Sequence, residues 1–127
     1  MNLTSLLQII EEKYAHDQIH KPHRTTHDLY LQGLQDEVSE VAQEIKPDNH
    51  VYLEDELADI LRTGFNLISI LAKQGYIRSP EAVLERAVDK YKERVEDKKN
   101  GILRNKTKER QKKKLNEEHI KSLQNKN

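Results

Sequence analysis

The sequence has no cysteine and no tryptophan, and it contains only four Gly, three Pro, five Tyr and one Phe in 127 residues. Without cysteine, disulfide bonds and thiolate metal sites are excluded. The scarcity of aromatic and β-branched residues disfavours a β-sandwich. Few turn formers, with equal shares of apolar and charged residues (35% each), instead favour a single helical domain. Its core must be thin, so we expect self-association.

No apolar run reaches the roughly 20 residues of a membrane-spanning helix, and the first residues lack the pattern of a signal peptide. We therefore expect a soluble, cytoplasmic protein. The zero net charge hides an asymmetry: residues 1–97 hold 11 basic and 19 acidic side chains, whereas residues 98–127 hold 11 and 3. Two charge regimes predict two parts, a helical domain over 1–98 and a basic tail over 99–127, solvated or helical.

Hydrophobic periodicity predicts four amphipathic helices: about 3–17, from Thr25 or Thr26 to just before Pro47, about 51–74, and from Ser79 to Val95. Gly75 is well placed to end the third helix. Ser79 followed by Pro80 has the cap and the first-turn proline of a helix start. Apolar residues of the third helix, including Leu57 and Leu61, are expected to face inward. Short links between four helices predict an all-α, four-helix up-and-down bundle or paired hairpins.

Pairs of acidic residues three positions apart are rare, and they are Glu37/Glu40, Glu56/Asp59 and Glu93/Glu96. Residues at this spacing lie on one helix face, so each pair concentrates like charge. Glu40 and Glu37 lie five and eight residues before the expected end of the second helix. Glu56 and Asp59 lie five and eight residues after the expected start of the third. In an antiparallel hairpin the two pairs therefore face each other within about one helical turn.

Carboxylates gathered in that number suit Mg²⁺, with Mn²⁺ as an alternative, because both prefer oxygen ligands. The competing interpretation is that these are ordinary solvated acids on helix surfaces. We favour the metal site for the two facing pairs, since both lie level across one short turn. Glu93 and Glu96 have no facing pair, and for them the solvated interpretation is preferred.

Two stretches, LQDEVSEVAQEI and LEDELADILRTGFNLI, resemble the two halves of the ExxE…ExxD signature of MazG-like, all-α nucleoside triphosphate pyrophosphatases. Asn66, seven residues after Asp59, matches an asparagine of some members. The segment KYKER at 90–94 is similar to a Lys/Arg segment on the last helix of these domains. The resemblance covers about residues 29–95. One departure is the lack of the Trp-containing segment that many members place before the first acidic pair.

This resemblance implies Mg²⁺-dependent hydrolysis between the α and β phosphates of a nucleoside triphosphate, giving a monophosphate and pyrophosphate. It implies a metal site formed by Glu37, Glu40, Glu56 and Asp59. Glu40 is our preferred base for the attacking water, with Glu37 as the alternative. Asn66 would bind sugar or base, or simply satisfy a neighbouring helix. Lys90 and Arg94 would hold the triphosphate, or form a solvated face. Family members pair as dimers or dimers of dimers, so we expect a homo-oligomer.

The basic tail is a second candidate functional feature, because its lysines could neutralise the phosphates of a nucleic acid. It contains no aromatic residue to stack on bases, so a solubilising or self-associating tail is preferred. Two other functions stay open: a non-enzymatic helical adaptor that binds nucleic acid or an acidic partner through the tail, and a family member that binds nucleotide without cleaving it. A histidine metal site is disfavoured, because Pro22 interrupts the helical spacing of His16, His20, His23 and His27.

Overall fold

A computed structural model of the protein describes residues 2–125. Within these residues there are five α-helices, one 3-10 turn and no strand. The helices are α1 (Leu3–His20), α2 (His27–Glu44), α3 (His50–Lys73), α4 (Pro80–Lys99) and α5 (Arg104–Gln124), and the 3-10 turn is Pro22–Arg24. The predicted all-α class is confirmed. No helix in the described part of the chain is long and apolar enough to cross a membrane.

The helix ends follow the local chemistry of the sequence. The Ser79 hydroxyl accepts a hydrogen bond from the backbone N–H of Ala82 at 3.1 Å, so it caps α4 as expected. Gly75 and Gly101 have φ angles of 82° and 75°, the left-handed conformation that ends a helix and that glycine adopts without strain. The cap of α2 differs from the prediction, because the Thr26 side chain makes no capping hydrogen bond.

The connection predicted between His16 and His27 is shorter than expected. Helix α1 continues to His20, which places the His16 and His20 rings 4.4 Å apart, centroid to centroid. Pro22 then begins the 3-10 turn, where its missing N–H leaves no helical hydrogen bond unmade. The predicted interruption of the helix near Pro22 is therefore confirmed, whereas the predicted end of α1 near residue 17 was three residues early.

Contacts divide the chain into two compact units, Met1–Ala82 and Val83–Asn127. The first holds α1, α2 and α3, and the second holds most of α4 together with α5. The basic tail is thus largely helical, and α5 pairs with α4 through side-chain hydrogen bonds. The division of function that we predicted between 1–98 and 99–127 stays a prediction.

The first unit is organised around α3, which packs along α2 and also contacts α1. Ile10 and Ile70 form its most buried apolar contacts, each 2% exposed. The other buried positions of α3 are polar: Thr63, Asn66 and Ser69. The expectation that Leu57 and Leu61 face inward was wrong, since they are 44% and 56% exposed. Helix α3 turns a polar face toward its neighbours within the unit and leaves an apolar face outside.

Polar contacts hold α1 in place. The Ser69 hydroxyl donates to Glu11 at 2.8 Å, and the Lys73 ammonium contacts the same carboxylate at 2.9 Å. Lys13 pairs with Asp17 at 2.6 Å and donates to the Tyr30 hydroxyl of α2 at 3.1 Å. The Lys13 hydrogen bond lowers the pKa of the Asp17 carboxyl, so this buried acid stays ionised. These contacts hold α1 against helices α2 and α3, which carry the acidic pairs.

Candidate functional site

A five-residue turn folds α3 back against α2. Asp48 takes a left-handed φ of 56°, a conformation in which Asp and Asn are enriched among non-glycine residues. The Asn49 side-chain amide donates to the backbone carbonyl of Glu44 at 2.8 Å and to its carboxylate at 2.7 Å. The second bond closes the turn, and the first satisfies a carbonyl at the end of α2 that has no helical partner. The predicted antiparallel hairpin is therefore present.

One half of the acidic cluster lies on α3. Single carboxylate oxygens of Asp55, Glu56 and Asp59 lie within 4.8 Å of one another, close enough to share one cation. Asp55 was not among the predicted site residues. Its spacing of four from Asp59 was the available signal, because side chains at i and i+4 also share a helix face.

Glu37 of α2 approaches the Asp59 side of this cluster, although it does not belong to the group of oxygens within 4.8 Å of one another. Its Oε1 accepts a hydrogen bond from the Thr63 hydroxyl at 2.8 Å, and its side chain is 13% exposed. The Arg62 guanidinium lies 3.6 Å from the same oxygen and 3.8 Å from Asp59 Oδ1. One arginine thus bridges Glu37 and Asp59, the two residues that the helical register predicted to lie level.

Glu40 meets Glu56 one turn along the same hairpin. The pKa of the Glu56 carboxyl is raised, first by burial and then by the charge of Glu40 and a hydrogen bond with it. The charges of Asp59 and Asp55 act in the same direction. The raised pKa measures how poorly the isolated protein tolerates a charge at Glu56, which a bound cation would reverse. The structure therefore places Glu40 beside Glu56 and brings Glu37 and Asp59 to a shared arginine, Arg62.

Three buried polar atoms at this site have no hydrogen-bond partner in the part of the chain that the structure describes: Glu37 Oε2, Glu56 Oε2 and Asn66 Nδ2. Leaving such a group unpaired costs about 1–3 kcal/mol, more when it is charged. All three lie on the predicted site residues and on the facing surfaces of α2 and α3. Two carboxyl oxygens and one amide donor of α2 and α3 therefore have no protein partner among the described residues. Hard oxygen ligands with this geometry are suited to a divalent cation.

Asn66 lies on the same face of α3 as the acids, at the helical spacing of Glu56, Asp59 and Thr63. It is 3% exposed, so its amide is held against the neighbouring helices. Asn66 Nδ2 has no hydrogen-bond acceptor among the described residues. The interpretation that the Asn66 amide only bonds to a neighbouring helix therefore does not account for this donor. A polar ligand group beside the acids would complete it.

Lys90 and Arg94 belong to the second unit and have neighbours of their own there. Arg94 Nε donates to Gln111 Oε1 of α5 at 2.9 Å, and its guanidinium lies 5.5 Å from the centroid of the Tyr91 ring. The Lys90 ammonium lies 5.6 Å from the same ring, and the Lys90 carbonyl accepts a hydrogen bond from Gln111. Their predicted contact with a triphosphate stays a prediction.

These observations define an all-helical protein whose site is made of facing acidic pairs across one helical hairpin. Residues 25–98, more than half of the chain, match the MazG nucleotide pyrophosphohydrolase domain. The chain belongs to this family, and the predicted resemblance is confirmed. The matched residues contain both acidic pairs, and the match ends before α5 begins. Neither the curated proteins nor the solved structures gave a match to the chain.

Proposed function

We propose that this protein is a Mg²⁺-dependent nucleoside triphosphate pyrophosphohydrolase, which cleaves the bond between the α and β phosphates and releases a monophosphate and pyrophosphate. The observation that carries the proposal is the pair of buried, unpartnered oxygens, Glu37 Oε2 and Glu56 Oε2, between facing acidic pairs. Membership of the MazG nucleotide pyrophosphohydrolase domain family supports the type of reaction.

The metal ligands in this proposal are Glu37, Glu40, Glu56 and Asp59. Asp55 adds a fifth oxygen donor, since it lies within 4.8 Å of Glu56 and Asp59. Carboxylates are the ligands that Mg²⁺ prefers, and Mn²⁺ accepts the same set. When bound, the cation would neutralise charge on the phosphate oxygens during the reaction. The raised pKa of Glu56, caused first by burial and then by the neighbouring acids, fits this role, because a bound cation would favour the charged form.

Glu40 is the proposed general base. It is exposed at the rim of the cluster, whereas Glu37 is largely enclosed and already accepts a hydrogen bond from Thr63. A base must reach the proton that it removes, which favours the exposed carboxylate. Glu40 would take a proton from the attacking water while the water oxygen bonds to the α-phosphorus. The bond from this phosphorus to the α–β bridging oxygen breaks, and pyrophosphate leaves with that oxygen.

Substrate contacts in this proposal come from Asn66, Lys90 and Arg94. The Asn66 amide has a donor without an acceptor, which a sugar or base oxygen would supply. Lys90 and Arg94 are assigned to the triphosphate by resemblance to the family. An arginine can bind two phosphate oxygens at once, and a lysine acts as a compact positive charge.

The proposal is tested by measuring pyrophosphate release from a panel of canonical and modified nucleoside triphosphates, with Mg²⁺ and with a chelator. We expect Glu40→Gln and Asp59→Asn to lower turnover by about 10²-fold or more, the usual scale for losing an electrostatic contributor. Glu54→Gln is the matched control, because Glu54 is an exposed α3 acid outside the cluster. If wild-type protein turns over none of the nucleotides, or if Glu40→Gln retains full activity, the enzyme assignment fails.

We also propose that the protein forms a homodimer or a dimer of dimers in the cytoplasm. Helices α2 and α3 leave large apolar side chains exposed, namely Leu31, Val38, Leu57 and Leu61. Leu31 and Val38 are seven residues apart and share one helix face. Exposed apolar patches of this kind mark interaction surfaces. Sedimentation velocity should show a dimer or tetramer that Val38→Glu dissociates. A monomer at all concentrations would contradict the proposal.

A further inference from the structure

Three acids of the α4–α5 hairpin, Glu93, Asp97 and Glu118, are paired with arginines of the opposite helix. Arg110 of α5 contacts Glu93 at 2.9 Å and also pairs with Asp97. Arg86 of α4 contacts Glu118 of α5 at 2.6 Å. These three acids are therefore matched by arginine, and most of the other charged residues that line the space between the two helices are basic.

An open groove of about 500 Å³ runs between the two helices. Its walls carry three acidic residues, Asp89, Glu93 and Glu118, and six basic ones, Arg86, Lys90, Arg94, Lys108, Lys112 and Lys114. Two of the three acids are the paired ones, so Asp89 is the exception. The groove is therefore positively charged by three elementary charges, and none of the three lysines of α5 makes an ion pair among the described residues.

An aromatic ring stands in this positive groove. Tyr91 lines it and is 56% exposed, with Lys90 and Arg94 within 5.6 Å of its ring centroid. The tail has no aromatic residue, and that argued against nucleic acid binding from the sequence. The structure supplies one from α4 instead. Exposed aromatic rings between cations are the platform on which bases of single strands stack, while the cations contact phosphates.

We propose that the α4–α5 groove binds single-stranded nucleic acid, with Lys108 and Lys112 contacting phosphates and Tyr91 stacking on a base. The groove's α5 wall runs from Lys108 to Glu118, about 15 Å at the helical rise. Charges spread along a line fit a polymer with one phosphate per nucleotide better than one compact polyphosphate. An exposed ring requires an unpaired base, which favours a single strand over a duplex. Lys90 and Arg94, which the proposed function assigns to the triphosphate, also line this groove, whereas Lys108 and Lys112 have no part in the proposed hydrolysis.

Binding is tested by fluorescence anisotropy with labelled DNA and RNA strands of about 12 nucleotides, within the site sizes of single-strand binders. Lys108→Gln with Lys112→Gln should weaken binding by about 10- to 30-fold near 0.1 M salt, since each lost phosphate contact removes roughly 0.7 from the salt slope. Lys113→Gln with Lys121→Gln removes equal charge from α5 outside the groove lining, and it should change binding less than about threefold.

Stacking is tested at Tyr91. Tyr91→Leu should weaken binding by about 5- to 150-fold, the scale of one base–aromatic contact, whereas Tyr91→Phe should bind like wild type. Circular dichroism would establish that each variant keeps its helices. Pyrophosphate release should be unchanged in the Lys108/Lys112 variant, so failure of this proposal and failure of the hydrolase assignment are distinguishable.

Three results would overturn the proposal. The first is a lack of single-strand binding by wild-type protein at physiological salt. The second is equal loss of binding in the groove and control lysine variants, which would indicate a diffuse charge effect of the tail. The third is displacement of the strand by inorganic triphosphate at equal phosphate concentration even in a Lys90→Gln, Arg94→Gln variant, which would make the remaining groove a polyphosphate site. Equal binding of a duplex would contradict the stacking contact.

Discussion

The two helical hairpins of this protein differ in how their acidic side chains are paired. Across α2 and α3, Glu40 faces Glu56, and Arg62 is the cation that approaches the cluster, at 3.6 Å and 3.8 Å from its carboxylates. Across α4 and α5, Glu93, Asp97 and Glu118 each have an arginine partner, and Asp97 also accepts a hydrogen bond from Thr107. The first arrangement is costly for folding, while the second stabilises it. Repulsion that a fold retains is typical of functional sites, which supports the site proposed in the α2–α3 hairpin.

The pKa directions record the same contrast. Burial and neighbouring acids raise the pKa of the Glu56 carboxyl. Hydrogen bonds from Thr107 and Arg110 lower the pKa of Asp97. Ionised Asp97 therefore contributes stability at neutral pH, and this contribution is lost as the pH falls through its lowered folded pKa. Ionisation of Glu56 has the opposite effect on stability. Because its pKa is higher in the folded protein, the unfolded chain loses this proton at a lower pH, and the folded state loses stability as the pH rises.

The largest effect is expected from Glu56→Gln. The variant should lose Mg²⁺-dependent turnover by at least about 100-fold, since a ligand of the cation is gone. Without Mg²⁺ it should melt at a higher temperature than wild type, because a raised carboxyl pKa means that ionisation destabilises the fold. This difference should grow as the pH rises above the ordinary carboxyl range. Thermal melts between pH 4.5 and 7.5, together with the pyrophosphate assay, measure both.

Saturating Mg²⁺ sharpens that experiment. Mg²⁺ should raise the melting temperature of the wild type, because a ligand that binds only the folded state stabilises it. The melting temperature of Glu56→Gln should rise much less. Glu54→Gln again serves as control and should behave like wild type. A variant that is less stable than wild type without Mg²⁺ at every pH would contradict the view that Glu56 is held against repulsion.

A smaller effect is expected in the paired hairpin. Thr107 is 2% exposed, and its hydroxyl donates to Asp97 at 2.7 Å. Thr107→Val keeps the shape and removes the donor, so α5 should lose about 1–2 kcal/mol of stability. Amide hydrogen exchange along α5 would measure the loss as a lower free energy of local opening. Thr4→Val, at an exposed position of α1, should change stability by less than about 0.5 kcal/mol. Unchanged protection of α5 would show that this hydrogen bond contributes little.

The smallest effect is expected from Arg62→Gln. Its guanidinium is 46% exposed and loosely placed between Glu37 and Asp59, so removing it should cost less than about 1 kcal/mol of stability. Because Arg62 competes with the cation for those carboxylates, half-saturation by Mg²⁺ should move to a concentration lower by a factor of about five or less. Arg78→Gln is the control. If Arg62→Gln needs more Mg²⁺, the arginine positions the ligands instead.

Much of the site was predictable from the sequence, because it depends on local geometry. Glu37 and Glu40 mirror Glu56 and Asp59 about the turn, and the helical rise is constant. Once the chain folds back at residues 45–49, the pairs must lie level. Asp55 was missed because Asp55 and Glu56, four and three residues before Asp59, both share a helix face with it. Spacing alone does not show which of the two contributes to the site.

The side of α3 that is buried could not be predicted from the sequence, since it depends on which neighbouring helix covers each face of α3. Helix α3 has an apolar stripe with Leu57 and Leu61 and a polar stripe with Thr63 and Asn66. Periodicity favoured the apolar stripe as the inward one, yet the polar stripe lies against α1 and α2. Hydrogen bonds from Thr63 to Glu37 and from Ser69 to Glu11 satisfy part of that polar surface. The apolar stripe is left for a partner outside the single chain.

The sequence by itself determined the four helices between residues 3 and 99 and the level of the acidic pairs, because an α-helix has a fixed rise and turn per residue whatever its sequence. Only the tertiary structure decided which oxygens became buried without partners among the described residues, and which aromatic ring lines the same groove as the lysines of α5. Those outcomes depend on side chains from separate helices sharing the same space, and spacing along one helix carries no information about them.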